Sequence, residues 1–205
     1  MPLPLSVIPH APRENEPVNA ACESAETLAL LARRRSAKIV QLGAPGPSEA
    51  DIDALIRLAA RVPDHGKLGP WRFVVITGEA RARAGEALVP HAEGQAGGAD
   101  FARTLFTRAP ACVMVVSSAA PHPKIPEWEQ LLSAGAACFA LVLAAHAMGY
   151  AGCWLTEWPT YHAGARAALG LAEHERIAGF VYLGAAAAEA TERERPDAMA
   201  RTSRF

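Results

Sequence analysis

"LLSAGAACFALVLAAHAMGYA", residues 131–151, is the stretch on which the fold turns. It has the length of a bilayer-spanning helix, which takes about 20 predominantly apolar residues. Yet alanine and glycine dilute it, His146 sits within it, and the acidic Glu127 and Glu129 precede it. Small residues at that density suit a helix packed closely against other elements on all sides, and acidic flanks give no topological bias toward a membrane. We read the core helix of a soluble domain with no membrane partner. On such a helix His146 reads as a core histidine with its hydrogen bonds satisfied.

The neighbouring segments give the layers around this helix. "WRFVVIT" (71–77), "ACVMVVSS" (111–118), "GCWLT" (152–156) and "IAGFVYLG" (177–184) are short runs rich in β-branched and aromatic residues, as buried strands are. Helical patterns occupy 24–35, 48–62, 79–92, 99–108 and about 160–169. In the first, Ser24 is placed to cap and Leu28 and Leu31 to face a core. In the second, Ser48 with Asp51 forms a capping box with a short carboxylate, and Pro63 stops the helix. "QLGAPGP" (41–47) reads as a loop. Strands separated by helices predict helices covering a sheet, in an α/β or α+β layer fold.

The chain has 205 residues, 51% of them hydrophobic, with a formal net charge of −1. That length suits one domain with a sizeable core, and the balanced charge gives no footprint for nucleic acid. We expect an irregular, proline-punctuated arm over 1–22 and a single domain over 23–205, ending in a polar tail. The arm lacks the basic and apolar regions of a signal peptide. The four cysteines lack CxxC spacing, so we expect a reducing, cytoplasmic setting. No G-x-G-x-x-G fingerprint follows a strand, no P-loop or G-x-S-x-G elbow occurs, and the histidines lack metal-ligand spacing, so no metal is expected.

Two polar clusters remain. "RRRS" (33–36) closes the first helix. It suits a cationic helix C-terminus, a dipole effect of about 0.3–1 kcal/mol. It equally suits guanidinium forks and a hydroxyl converging on one phosphate. "RVPDHGKLGPWRF" (61–73) holds Arg61, Asp64, His65, Lys67 and Arg72 around two prolines and two glycines. A connector accounts for the turn formers, whereas the charges fit a corner that grips an anionic, planar molecule.

The segments "RRRSAKIV", "AARVPDHGKLGPWRFVVI", "KIPEWEQLLSAGAACFALVLAAHAMGYAGCWLTE" and "IAGFVYLG", in that order, resemble the FMN-dependent nitroreductase family and its minimal, YdjA-type branch. The resemblance spans roughly residues 24–185. It implies an α+β sandwich, a mostly antiparallel sheet flanked by helices, built as an intertwined homodimer with FMN between the chains.

By this likeness Arg34, Arg35 and Ser36 hold the phosphate and ribityl chain, and Arg61 and His65 contact the flavin from the turn. Trp154, Leu155 and Thr156 touch FMN after the central helix. The branch carries arginine at the middle position of that segment. Leu155 offers backbone or apolar contact alone, leaving Arg33, Arg201 or Arg204 as possible replacements for the charge. The segment 144–149 matches a stretch associated with nicotinamide dinucleotide. The implied activity is hydride transfer from NADH or NADPH to FMN, then reduction of a nitroaromatic, quinone or similar small acceptor. A cation at 4 Å from a reduced flavin's anionic edge contributes about 4 kcal/mol at an effective dielectric near 20. The resemblance implies no catalytic acid or base. The alternative is a flavin-binding or flavin-processing protein of the same fold without efficient turnover.

Overall fold

The apolar run near the C-terminus forms the longest strand, β5 (Arg176–Ala186), in a computed structural model that describes residues 2–18 and 21–205. Along β5, Phe180 and Tyr182 enter one core and Val181 and Leu183 enter another, so both faces of the strand are covered. One edge pairs with β3 (Ala111–Ser117) and the other with β4 (Ala151–Leu155). Outside β3 lies β2 (Trp71–Thr77), in register Val74↔Met114. A two-residue strand, β1 (Leu42–Gly43), pairs with Ala185 and Ala186. Every pairing is antiparallel, so the sheet is α+β as the resemblance implied.

β1 lies inside the stretch read as a loop. Two side chains carry no strand signal, and the pairing is fixed from outside the segment. The Ala187 amide donates to the Gln41 carbonyl and the Ala185 amide to that of Pro45.

Helices cover both faces. On one, α2 (Glu49–Ala59) and α5 (Glu127–Ala147) pack through Ile52, Leu55, Ala137, Cys138 and Leu141 onto Val113, Val115 and Val181. On the other, α3 (Ala80–Leu88), α4 (Gly98–Thr104) and α6 (Ala163–Ala168) bring Leu88, Ala102 and Ala165 onto Met114, Phe180 and Tyr182. The capping box at α2 forms as expected: Ser48 Oγ accepts from the Asp51 amide, and Asp51 Oδ2 accepts from the Ser48 amide at 3.0 Å. Hydrogen bonds from Ser48 hold the Asp51 carboxyl below its usual range despite partial burial.

Two elements differ from expectation in which face they bury. α5 buries Ser133, Ala134, Ala137, Cys138, Leu141, Val142 and Ala145 at helical spacing against the sheet. Its opposite face is not packed: Trp128, Leu132 and Phe139 are 67%, 54% and 42% exposed. The small residues therefore permit close approach on one side, while large apolar ones line the other. α1 (Ala25–Arg33) is capped by Ser24 Oγ as expected, yet none of its nine residues is buried, and Leu28 and Leu31 are exposed. Within the N-terminal arm a short 3-10 turn spans Leu5–Val7, and the Leu3 amide donates to Met148 O at the end of α5.

Candidate functional site

The end of α1 and the end of α5 enclose a cleft of about 500 Å³. Arg33, Arg34 and Arg35 line it from one side, His146 and Tyr150 from another, and Glu189 from the segment after β5. The loop carrying the arginines is held beside β4 by the Ala37 amide, which donates to Gly152 O at 3.1 Å. Arg34 Nη2 donates to Ser36 Oγ at 3.4 Å, while Arg34 Nε is buried with no partner. Arg35 is engaged by the tail, its Nε donating to Thr191 O at 3.0 Å and lying 3.7 Å from Glu192. A buried guanidinium N–H without an acceptor costs about 1–3 kcal/mol, and a phosphoryl oxygen matches what it lacks. The residues present thus fit the phosphate end of FMN.

His146 departs from the expected satisfied core histidine: its Nδ1 is buried and unpartnered. Burial lowers the imidazole pKa, the Arg34 charge adds to that, and a Gly152 backbone hydrogen bond opposes both. No spacing rule marks His146, because its neighbour Arg34 is 112 positions away in sequence and meets it only through the fold.

The second cluster is built at the other end of α5. Ser133 Oγ donates to Pro63 O at 2.7 Å and accepts from Trp71 Nε1 at 3.1 Å, tying the 61–65 turn to α5 and β2. His65 Nδ1 lies 2.6 Å from Glu129 Oε2. Asp64 accepts from the Leu68 and Gly69 amides, turning the chain back on itself. Gly66, at φ 72°, is in the left-handed region, where a Cβ would also strike the Ile125 side chain. Arg61 and Lys67 are exposed and form no ion pair among the described residues. Arg72 instead serves the fold, its guanidinium pairing with the buried Glu175 through two bonds of 2.7 Å.

The third cluster follows β4. The Trp154 indole lies over Gly179 and donates to Ala178 O at 3.0 Å, an approach that a Cβ at Gly179 would block. Leu155 turns its side chain into the core beside Cys153, leaving its backbone for any ligand. Thr156 O accepts from Thr160 Oγ1, and its own hydroxyl accepts from Tyr161. Next to it stands a charged pair that had no sequence signal. Glu157, at φ 54°, grips Arg108 Nη2 through both carboxylate oxygens at 2.7 and 2.6 Å. Burial pushes the Cys153 thiol up to about 11 and that of Cys138 to about 12, so neither is a ready nucleophile.

The structure therefore brings Arg34, Arg35 and Ser36 alongside β4, whose end carries Trp154, Leu155 and Thr156, and separates them from Arg61 and His65. Glu129 and His146 mark the two ends, 17 residues apart on α5. At 1.5 Å per residue that is about 25 Å.

An antiparallel sheet between two helical layers, with a basic loop over a cleft, defines a nitroreductase-like fold. A solved nitroreductase-like family protein from Bacillus cereus has it, with a TM-score of 0.79 at 19% identity over 91% of this chain and 99% of that one. So does a nitroreductase with bound FMN from Bacteroides fragilis, with a TM-score of 0.66 at 21% identity over 89% of this chain and 100% of that one. The sequence model of the Nitroreductase family matches residues 31–185, and the chain belongs to that family. It is 39% identical over 166 residues to the "Putative NAD(P)H nitroreductase YdjA" of Escherichia coli strain K12, covering 78% of this chain and 87% of the relative.

Proposed function

We propose that the chain is an FMN-dependent oxidoreductase, using NADH or NADPH and reducing a nitroaromatic, quinone or similar small acceptor. The observation that carries this is family membership over 31–185 combined with a cationic cleft whose Arg34 Nε lacks an acceptor. FMN, when bound, supplies hydride acceptance from the nicotinamide and electron delivery to the acceptor. The protein binds and orients. Arg34 and Ser36 take the phosphate end, Arg35 adds charge beside them, and Trp154 with the 155–156 backbone borders the site. Arg61 and His65 present cations or donors to the ring edge, with His65 oriented by Glu129.

These groups serve one flavin only if two chains supply them. In one chain the Arg34 and His65 ends lie at opposite ends of α5, about 25 Å apart. Two α5 helices packed antiparallel about a two-fold axis bring the first end of one chain beside the second end of its partner. The exposed apolar face of α5 (Trp128, Leu131, Leu132, Phe139) and the unburied leucines of α1 support such an interface. The free, buried thiols of Cys112, Cys138 and Cys153 suit a cytoplasmic homodimer built of one domain over 23–205 with an arm over 1–22.

Purified protein should be yellow, with about one FMN per chain, and should bleach anaerobically on adding NADH or NADPH. Colourless protein that takes up no added FMN defeats the proposal. Bound FMN that stays oxidised under both nicotinamides favours the alternative reading, for which the core-facing Leu155 is the supporting observation.

A further inference from the structure

We infer that Arg34 and His146 together form the phosphoryl contact of the cleft, His146 supplying from α5 the cation that Leu155 does not. The inference rests on the flavin reading above. Among the described residues, three buried side-chain polar atoms lack a partner: Arg34 Nε, His146 Nδ1 and Trp158 Nε1. Two of the three belong to residues that line the same cleft. A buried polar group without a partner is unfavourable, and one phosphoryl group between them satisfies both.

The surroundings decide the protonation. Arg33, Arg34 and Arg35 face the cleft from the end of α1 and its loop. Tyr150, just after α5, has its hydroxyl committed to Asp51 at 2.9 Å. Glu189, after β5, is the acidic group of the lining. Beside these cations the buried His146 ring is held toward its neutral form. Interaction with the Gly152 backbone opposes that shift, and Nδ1 is buried with no partner; in the Nε2–H tautomer the neutral ring presents a lone pair there. A phosphoryl oxygen repels that lone pair and attracts an N–H. Binding of the dianion therefore takes up one proton at Nδ1, which then donates to the oxygen. Affinity rises as pH falls from about 8 to about 6.5, a window above the second pKa of a phosphomonoester near 6.

The phosphoryl group has two possible sources, FMN and a nicotinamide dinucleotide. Full-length wild type, His146→Asn and His146→Leu are titrated with FMN, riboflavin and NADPH at several pH values in that window. Flavin fluorescence and calorimetry read affinity, and thermal unfolding reports folding. Wild-type affinity for FMN is expected to rise several-fold toward low pH, bounded at about thirtyfold for one proton over 1.5 pH units. Asparagine keeps a neutral donor, so His146→Asn flattens the slope with a smaller loss of affinity. His146→Leu loses the slope and about tenfold in affinity or more, equivalent to roughly 1.4 kcal/mol. Riboflavin, lacking phosphate, responds to neither. The same pattern for NADPH, with FMN unmoved, keeps the phosphoryl contact and assigns it to the dinucleotide. A folded His146→Asn with wild-type pH slopes for both FMN and NADPH overturns the inference. If wild type binds neither flavin, the flavin reading fails and the inference with it, a result distinct from binding that ignores His146.

Discussion

Ser133 joins the 61–65 turn to the body of the protein, and removing its hydroxyl tests that junction. The side chain is 7% exposed and joins three elements through two bonds, to Pro63 O at 2.7 Å and from Trp71 Nε1 at 3.1 Å. Ser133→Ala deletes both without creating a cavity larger than one oxygen. Each bond contributes about 0.5–1.5 kcal/mol net, and partly exposed Trp71 and exposed Pro63 recover some of it from water. The expected loss is about 2 kcal/mol, or roughly 4–8 °C in Tm for a domain of this size. Denaturant and thermal unfolding read that number. The same change frees the backbone that positions Arg61 and His65, so FMN affinity falls by several-fold while affinity for free phosphate does not move. A variant within about 0.5 kcal/mol of wild type, with unchanged FMN affinity, refutes the claim that Ser133 holds the turn, since that is the spread of ordinary surface substitutions.

Arg34→Ala and Ser36→Ala each weaken FMN retention, Arg34→Ala by roughly 1.5–3 kcal/mol as a charge-assisted contact, read by flavin fluorescence titration; unchanged affinity in both returns the RRRS run to a capped helix end. Leu132→Glu with Phe139→Asp charges the exposed apolar face of α5 and should give a monomer with weak FMN binding in light scattering; a flavin-loaded monomer contradicts the interface. Glu175 is held at about 2 by the Arg72 hydrogen bonds, against an ordinary 4.5. A depressed carboxylate stabilises the fold above its unfolded pKa and loses that contribution as pH falls. Wild type therefore loses stability between about pH 4.5 and 2 more steeply than Glu175→Gln; parallel pH profiles in that window contradict the assignment.

Much of the fold was readable because long apolar runs report burial locally. β3 and β5 are buried on both faces and read as continuous strands, and Ser24 and Ser48 announce two helix starts within four residues of sequence. β1 was not readable, since its pairing is set by Ala185 and Ala186 far along the chain. The face of α1 was misjudged because periodicity reports an apolar stripe without reporting what covers it. In the site, RRRS and the 61–65 turn stood out by charge density. His146, Ser133 and the Arg108–Glu157 pair did not, because each works through a partner at least 49 residues away.

The central claim is that Arg34 of one chain and the Arg61–His65 turn of the other hold the same flavin. Mixing unfolded Arg34→Ala protein with the Arg61→Ala/His65→Ala variant, refolding them together and titrating FMN tests it directly. In a two-fold dimer, random pairing makes half the dimers mixed, and each mixed dimer carries one intact site, so about one site in four regains wild-type affinity. Both variants refolded alone should show none. No regained high-affinity sites in a mixture shown to contain mixed dimers would contradict the account.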